Sequence, residues 1–163
     1  MLEKDNGDVY FVPAFSGLFS PHWDETARGS LFGLTRFSNK SHMARAVLES
    51  VAFQTYELLE SMEKDLDTKF DTLKVDGGMV ANNLLMQFQS DLLDKSIQSQ
   101  EINEITALGV GVASYLYVMD LPLSSMKNYI TSSKTWNPNM SNDMRINSLE
   151  SWYKAIEKAK NWL

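Results

Sequence analysis

Five residues in one short stretch have the types and spacing to hold a ligand. In LKVDGGMVANN, residues 73–83, an apolar run ends at Asp76, Gly77 and Gly78 follow, and Asn82 and Asn83 close the segment. Glycine adopts backbone angles that other residues resist. A pair of glycines after a strand lets the main chain approach a flat or anionic group with no Cβ in the way. Asparagine is a good helix cap, and a helix N-terminus offers unpaired N–H groups and the positive end of a dipole. In open α/β sheets, ligands sit at the carboxyl edge of the strands. The same residues also suffice for a plain strand-to-helix turn. The spacing matches neither a phosphate loop ending in G-K-[ST] nor a G-x-G-x-x-G fingerprint. On spacing alone, both readings stand.

Other reactive types are sparse. Asp24 and Arg28 are spaced for an ion pair within one turn, worth about 0.5 kcal/mol on a surface; Asp24 as a catalytic base is disfavoured. His22 and His42 are the only histidines. No cluster of His, Asp and Glu accompanies them at ligand spacing, so no protein-held metal is expected, and both read as loop or surface residues. Trp23, Trp136, Trp152 and Trp162 read as packing residues rather than a stacking platform. Cysteine is absent, which excludes a thiol nucleophile, a zinc–thiolate site and disulfides, and suits the cytosol.

The elements that must position these residues follow from periodicity. At 163 residues, 44% of them hydrophobic, the chain can bury one core. Its net charge of -6 and lack of a basic stripe argue against nucleic-acid binding. The acidic start is no signal peptide, and ALGVGVASYLYVM is too short to span a bilayer. VYFVPAF (9–15) and SLFGLT (30–35) read as strands, joined by a long Gly/Pro-punctuated loop. From Ser41, the expected N-cap, to Glu63, the apolar positions Met43, Val47, Val51, Leu58 and Met62 mark a helix and its packed face. DTLKV is a strand ending at Asp76. Leu84, Leu85, Phe88 and Leu92 mark a second helix, KSIQSQ a short strand, and TALGVGVASYLYVM a buried helix that Pro122 helps to end. A polar Asn/Ser-rich region precedes a last helix with Leu149, Trp152, Ile156 and Leu163 on one side. Alternating strands and helices indicate an α/β layered fold with a mixed sheet. Too few strands are present for a complete domain of this class.

Several separated motifs carry a resemblance to one family. The block VYFVPAFSGLFSPHWDETARGSLFGLTRFSNKSHMARAVLESVAFQT resembles the opening of the C-terminal part of the FGGY carbohydrate kinases, and VPAFSGLFSPHWD is most similar to the glycerol kinases among them. GSLFGLTRFSNKSHMARAVLE fits the second signature of the family, with its small-apolar-acidic ending at Ala46, Val47, Leu48 and Glu49. VDGGMVANNLLMQFQSDLL is similar to the family's adenosine-binding turn and helix, NEITALGVGVAS to its next helix, and SWYKAIEKAKNW to its terminal helix.

The resemblance implies the ribonuclease-H-like, actin-like ATPase fold, with ATP held between two domains. It implies that Gly78 lies against the nucleotide, that Asn82 offers its amide to adenosine, and that Asp76 and Gly77 shape the turn. ATP would arrive with Mg2+. Residues 1–163 would form the C-terminal portion of the ATP-binding domain, in the cytoplasm, lacking that domain's first strands. No catalytic residue is assigned here, because the family's glycerol contacts and catalytic aspartate belong to the missing N-terminal portion. A chain with its neighbouring strands absent is expected to form a homo-oligomer or to need its other half. A non-catalytic remnant, or action on another polyol or sugar, remains the alternative. Val112, Tyr115 and Tyr117 depart from the small residues usual in the third helix, which bears on nucleotide affinity.

Overall fold

A computed structural model of the chain describes residues 5–100, 104–129 and 132–163. The acidic start through residue 4 and Asn103 of the third-helix motif lie outside the described residues.

Two short strands, β1 (Tyr10–Val12) and β2 (Ser30–Phe32), pair antiparallel with Phe11 opposite Leu31. Pro13 follows β1 directly, where no ladder donor is needed. The helix α1 (Lys40–Leu66) comes next, then β3 (Thr72–Val75), a single 3-10 turn (Gly78–Ala81) and α2 (Asn83–Leu93). β4 (Ser96–Gln100), α3 (Ile105–Val118), a second 3-10 segment (Leu123–Tyr129), β5 (Ser132–Trp136) and α4 (Asn142–Ala159) complete the order. β4 is the centre of a mixed three-stranded sheet, parallel to β3 and antiparallel to β5, with a register shift at Ser99/Gln100. The Asn/Ser-rich region thus contains β5, a strand that the sequence reading missed.

The core lies where α1, α2 and α4 meet the two sheets. Trp152 stacks on Phe53 with ring centroids 4.8 Å apart and planes 4° from parallel, and Phe88 meets Phe53 edge-on at 5.6 Å. Leu85, Leu92, Ile97 and Ile156 close around them with almost no exposure. Each such side chain contributes about 1.5–3 kcal/mol through removal from water.

Four expectations need correction. The N-cap of α1 is Asn39, not Ser41: its side chain accepts from the Ser41 and His42 N–H groups, and the Asn39 N–H donates back to His42 Nδ1. The expected packed face of α1 is its outer face. Met43, Val47, Leu58 and Met62 are 36–48% exposed, while Ala46, Ala52, Phe53 and Leu59 are buried with Glu49, Glu57 and Glu63. The carboxylates can face inward because each has a partner there: Arg45 for Glu49, His22 for Glu57, and Lys95 with Lys69 for Glu63. The apolar periodicity marked a face that is open to solvent among the described residues except at Val51, which packs against the core. α3 is likewise not buried; among its residues only Val112 and Leu116 are, and Tyr117 and Val118 are open to solvent. Finally, Leu163 lies beyond the end of α4 and is exposed.

Candidate functional site

The glycine turn is built as its residue types require. β3 ends at Val75, and Gly77 turns the chain at φ 89°, a left-handed value that suits glycine. The chain then winds one 3-10 turn, closed by Val80 N–H to Gly77 O at 3.2 Å and Asn82 N–H to Met79 O at 3.0 Å. Asn82 is the N-cap of α2. Its Oδ1 accepts from the Leu84 and Leu85 N–H groups, both at 3.1 Å, satisfying two of the donors that begin a helix. Its Nδ2 has no partner among the described residues. Asp76 is exposed, and its carboxylate makes no hydrogen bond among them.

Gly78 differs from Gly77. It does not lie at positive φ, and a Cβ built on it meets nothing within 4 Å. Gly78, Met79, Ala81, Asn82, Asn83 and Leu84, with Leu48 of α1, line one open hollow. Of the five residues singled out by spacing, Gly78, Asn82 and Asn83 line this hollow and Gly77 makes the turn that leads into it. Lys134 of β5 adds a positive charge at its rim by donating to Asn83 Oδ1, and lies 4.8 Å over the Trp136 ring. The missed strand carried this lysine, so no sequence signal attached it to the turn.

The remaining candidates fall elsewhere. Asp24 and Arg28 do not pair. Asp24 accepts from Thr26 Oγ1 at 2.6 Å, from Thr26 N–H at 2.8 Å and from Asn161 N–H at 3.2 Å; the Thr26 hydroxyl leads in holding its carboxyl below the usual range. Arg28 donates to the Glu25 and Ala27 carbonyls. Asp24 is a loop clasp. His22 is not a free surface histidine: Nε2 lies 2.7 Å from Glu57 Oε1, with 12% and 4% of the two side chains exposed. Burial pushes the Glu57 carboxyl up and the His22 contact opposes it. His42 serves the cap of α1. Trp152 and Trp136 are packing residues, whereas Trp23 and Trp162 are 75% and 66% exposed. Among the described residues, no cluster of acidic or His side chains could hold a metal ion, and no helix is long and apolar enough to cross a membrane.

Comparison with known proteins agrees with this arrangement. The profile of the FGGY family of carbohydrate kinases, C-terminal domain, matches residues 1–115. The chain is 48% identical over 160 residues to the glycerol kinase of Corynebacterium kroppenstedtii and 49% identical over 164 residues to that of Nocardia farcinica. These matches cover 98% and 97% of this chain but 31% and 33% of those proteins. Among solved structures, the glycerol kinase of Plasmodium falciparum with ADP superposes with a TM-score of 0.87 at 34% identity, over 96% of this chain and 32% of that one. A xylulose kinase from Lactobacillus acidophilus, 23% identical, shares the fold with a TM-score of 0.74. The architecture is therefore part of the actin-like ATPase fold, and the chain belongs to the FGGY family of carbohydrate kinases, corresponding to the C-terminal third of its glycerol kinases.

Proposed function

We propose that the chain is the ATP-binding C-terminal part of a kinase that transfers the γ-phosphoryl group of ATP to glycerol, giving glycerol 3-phosphate. The observation that carries this reading is Gly78. Neither its backbone angle nor packing within the chain calls for glycine there. The missing Cβ makes sense if a flat group, the nucleoside, lies against the main chain. Asn82 suits the adjoining role: Oδ1 is spent on the α2 cap, and Nδ2 is free to donate to adenosine. Gly77 and Asp76 set the turn. The Plasmodium falciparum relative was solved with ADP, and the curated relatives are glycerol kinases; both support the choice of ligand and acceptor. Mg2+ would enter with the triphosphate, as it does where phosphate oxygens supply most of its ligands.

Residues 1–163 supply one wall of a nucleotide site in a cytoplasmic enzyme. Phosphoryl transfer needs the acceptor in line with the γ-phosphate, a base on its hydroxyl and charge stabilisation around the metal–nucleotide. Nothing in this chain is assigned to the first two, so the chain alone is inactive toward glycerol.

The test uses a fused enzyme in which the amino-terminal two-thirds of the Corynebacterium kroppenstedtii glycerol kinase precede this chain. Gly78→Val should raise the KM for ATP about tenfold or more and leave the KM for glycerol nearly unchanged. Equal weakening of both substrates would contradict the assignment.

A further inference from the structure

Lys134 of β5 stands at the rim of the hollow with no part yet in the nucleotide wall. β5 runs antiparallel to β4, which is parallel to β3, so Val75, Ser99 and Lys134 fall in one row across the sheet. Val75 is the last residue of β3, and the glycine turn starts from it. Lys134 is therefore at the same carboxyl edge as the turn. Its place is fixed by bonds that clasp the end of β5 to α2: Ser90 Oγ donates to Trp136 O at 3.1 Å, Gln87 Nε2 to Asn137 O at 2.8 Å, and Asn139 N–H to Asp91 Oδ1 at 2.7 Å. Two residues further along the strand, on the same side, the Trp136 ring lies 4.8 Å from the Lys134 ammonium. That ammonium donates to Asn83 Oδ1. A lysine has donors only, so it selects the oxygen of the amide. Nδ2 of Asn83 is left without a partner among the described residues, on a side chain that lines the hollow with Gly78 and Asn82. Lys134 has little to do for the fold. An amide oxygen and a ring face do not neutralise it, and the ion pairs among the described residues are made elsewhere. Near the first residue of α2 it also meets the positive end of the helix dipole, the sign that does not favour folding.

We propose that Lys134 is a positioning residue for nucleoside recognition: it fixes the Asn83 amide so that Nδ2 serves, beside that of Asn82, as a second donor to an acceptor atom of the nucleoside. Both asparagines then show the hollow the same group for the same reason. The Asn82 oxygen is spent on the Leu84 and Leu85 N–H groups, and the Asn83 oxygen on Lys134. Adenosine has matching acceptors in its ring nitrogens and ribose oxygens. Without Lys134 the Asn83 amide is free to turn over, and the turned amide presents Oδ1, which repels those acceptors. Lys134 thus acts through Asn83 on the nucleoside, and not by its charge on the phosphates. This inference rests on the proposed nucleotide wall and deepens it by naming a residue that sets which hydrogen-bonding group the wall presents.

The experiment is a double-mutant cycle in the fused enzyme, with Lys134→Met, Asn83→Ala and the two combined, and with Lys134→Arg as the conservative variant. Calorimetry without glycerol gives the dissociation constants of adenosine, ADP and ATP, and thermal melts show that each variant is folded. Lys134→Met should weaken all three ligands by the same factor, about fivefold, and Asn83→Ala by about as much. The combined variant should be no weaker than Asn83→Ala alone, because Lys134 has nothing left to hold. Lys134→Arg, which keeps a donor for Asn83 Oδ1, should bind within about twofold of the parent. In turnover, the effect of Lys134→Met should fall on the KM for ATP and leave the KM for glycerol unchanged, with a melting temperature equal to the parent's. Four results overturn the proposal: unchanged affinity in Lys134→Met, losses that add in the combined variant, a loss that grows from adenosine to ATP, and a lower melting temperature with unchanged affinity. A parent that binds none of the three ligands removes the proposed function and this inference with it. A parent that binds them, with Lys134→Met binding equally well, removes this inference alone.

Discussion

At the residue scale, Asn82 has two jobs that one substitution separates. Asn82→Asp keeps an oxygen for the Leu84 and Leu85 N–H groups and adds negative charge at a helix N-terminus, worth about 0.3–1 kcal/mol in its favour. It removes the Nδ2 donor. In the fused enzyme, the variant should melt no lower than the parent yet bind ATP more weakly by about 1–3 kcal/mol; equal affinity would remove Asn82 from the nucleotide site. The buried glutamates make a second residue-scale case. Glu63 accepts from Lys95 at 2.8 Å, from Phe70 N–H at 2.8 Å and from Lys69 at 3.1 Å, and these bonds, Lys95 first, hold its carboxyl down to about 2 from an ordinary 4.5. A depressed folded-state value gives stability that is present above about pH 4.5 and lost as pH falls toward 2. Denaturant titrations across that range should show the loss in the parent and a flatter profile in Glu63→Gln, which is weaker at neutral pH. Removing His22 takes the nearest partner from the buried Glu57 carboxyl. His22→Ala should therefore cost about 1–3 kcal/mol of unfolding free energy.

At the element scale, glycines that look alike in sequence divide by cause. Gly33, just past β2, has φ 81°, and a Cβ there would stand 1.9 Å from the Asp8 carbonyl oxygen. Gly33→Ala should destabilise the chain by at least about 2 kcal/mol, whereas Gly78→Ala should change stability by less than about 0.5 kcal/mol; paired thermal melts check both. The glycine turn and the amphipathic face of α2 were legible because turn chemistry and helix period are local. β5 was not, since SSKTW lies in a polar stretch and is a strand only because Ser99, Gln98 and Ile97 offer it an edge. The face of α1 was misread for a related reason. Period reveals an apolar stripe, but which side of a helix is covered depends on what the rest of the fold supplies. Here His22, Arg45 and Lys95 let carboxylates face the core, while most of the aliphatic stripe stays open to solvent among the described residues. The N-cap moved by two residues because Asn39 and His42 satisfy each other's main chain, a reciprocity that Ser41 could not offer.

At the scale of the whole molecule, several separated motifs taken together made the family legible, and the chain spans about a third of the length of the glycerol kinases it matches. Groups that act as one unit lose nearly all their effect when most of the unit is absent. The central claim is that this chain is a nucleotide wall that works only when joined to its acceptor-binding portion. Glycerol-dependent release of ADP from ATP tests it most directly, measured in parallel on the purified chain and on the chain complemented by, or fused to, the amino-terminal two-thirds of the Corynebacterium kroppenstedtii glycerol kinase. The account predicts no turnover by the chain alone, clear turnover once the portions are combined, and loss of it at sub-saturating ATP with Gly78→Val. Glycerol-dependent turnover by the chain alone, or a well-folded combined enzyme with none, would contradict it.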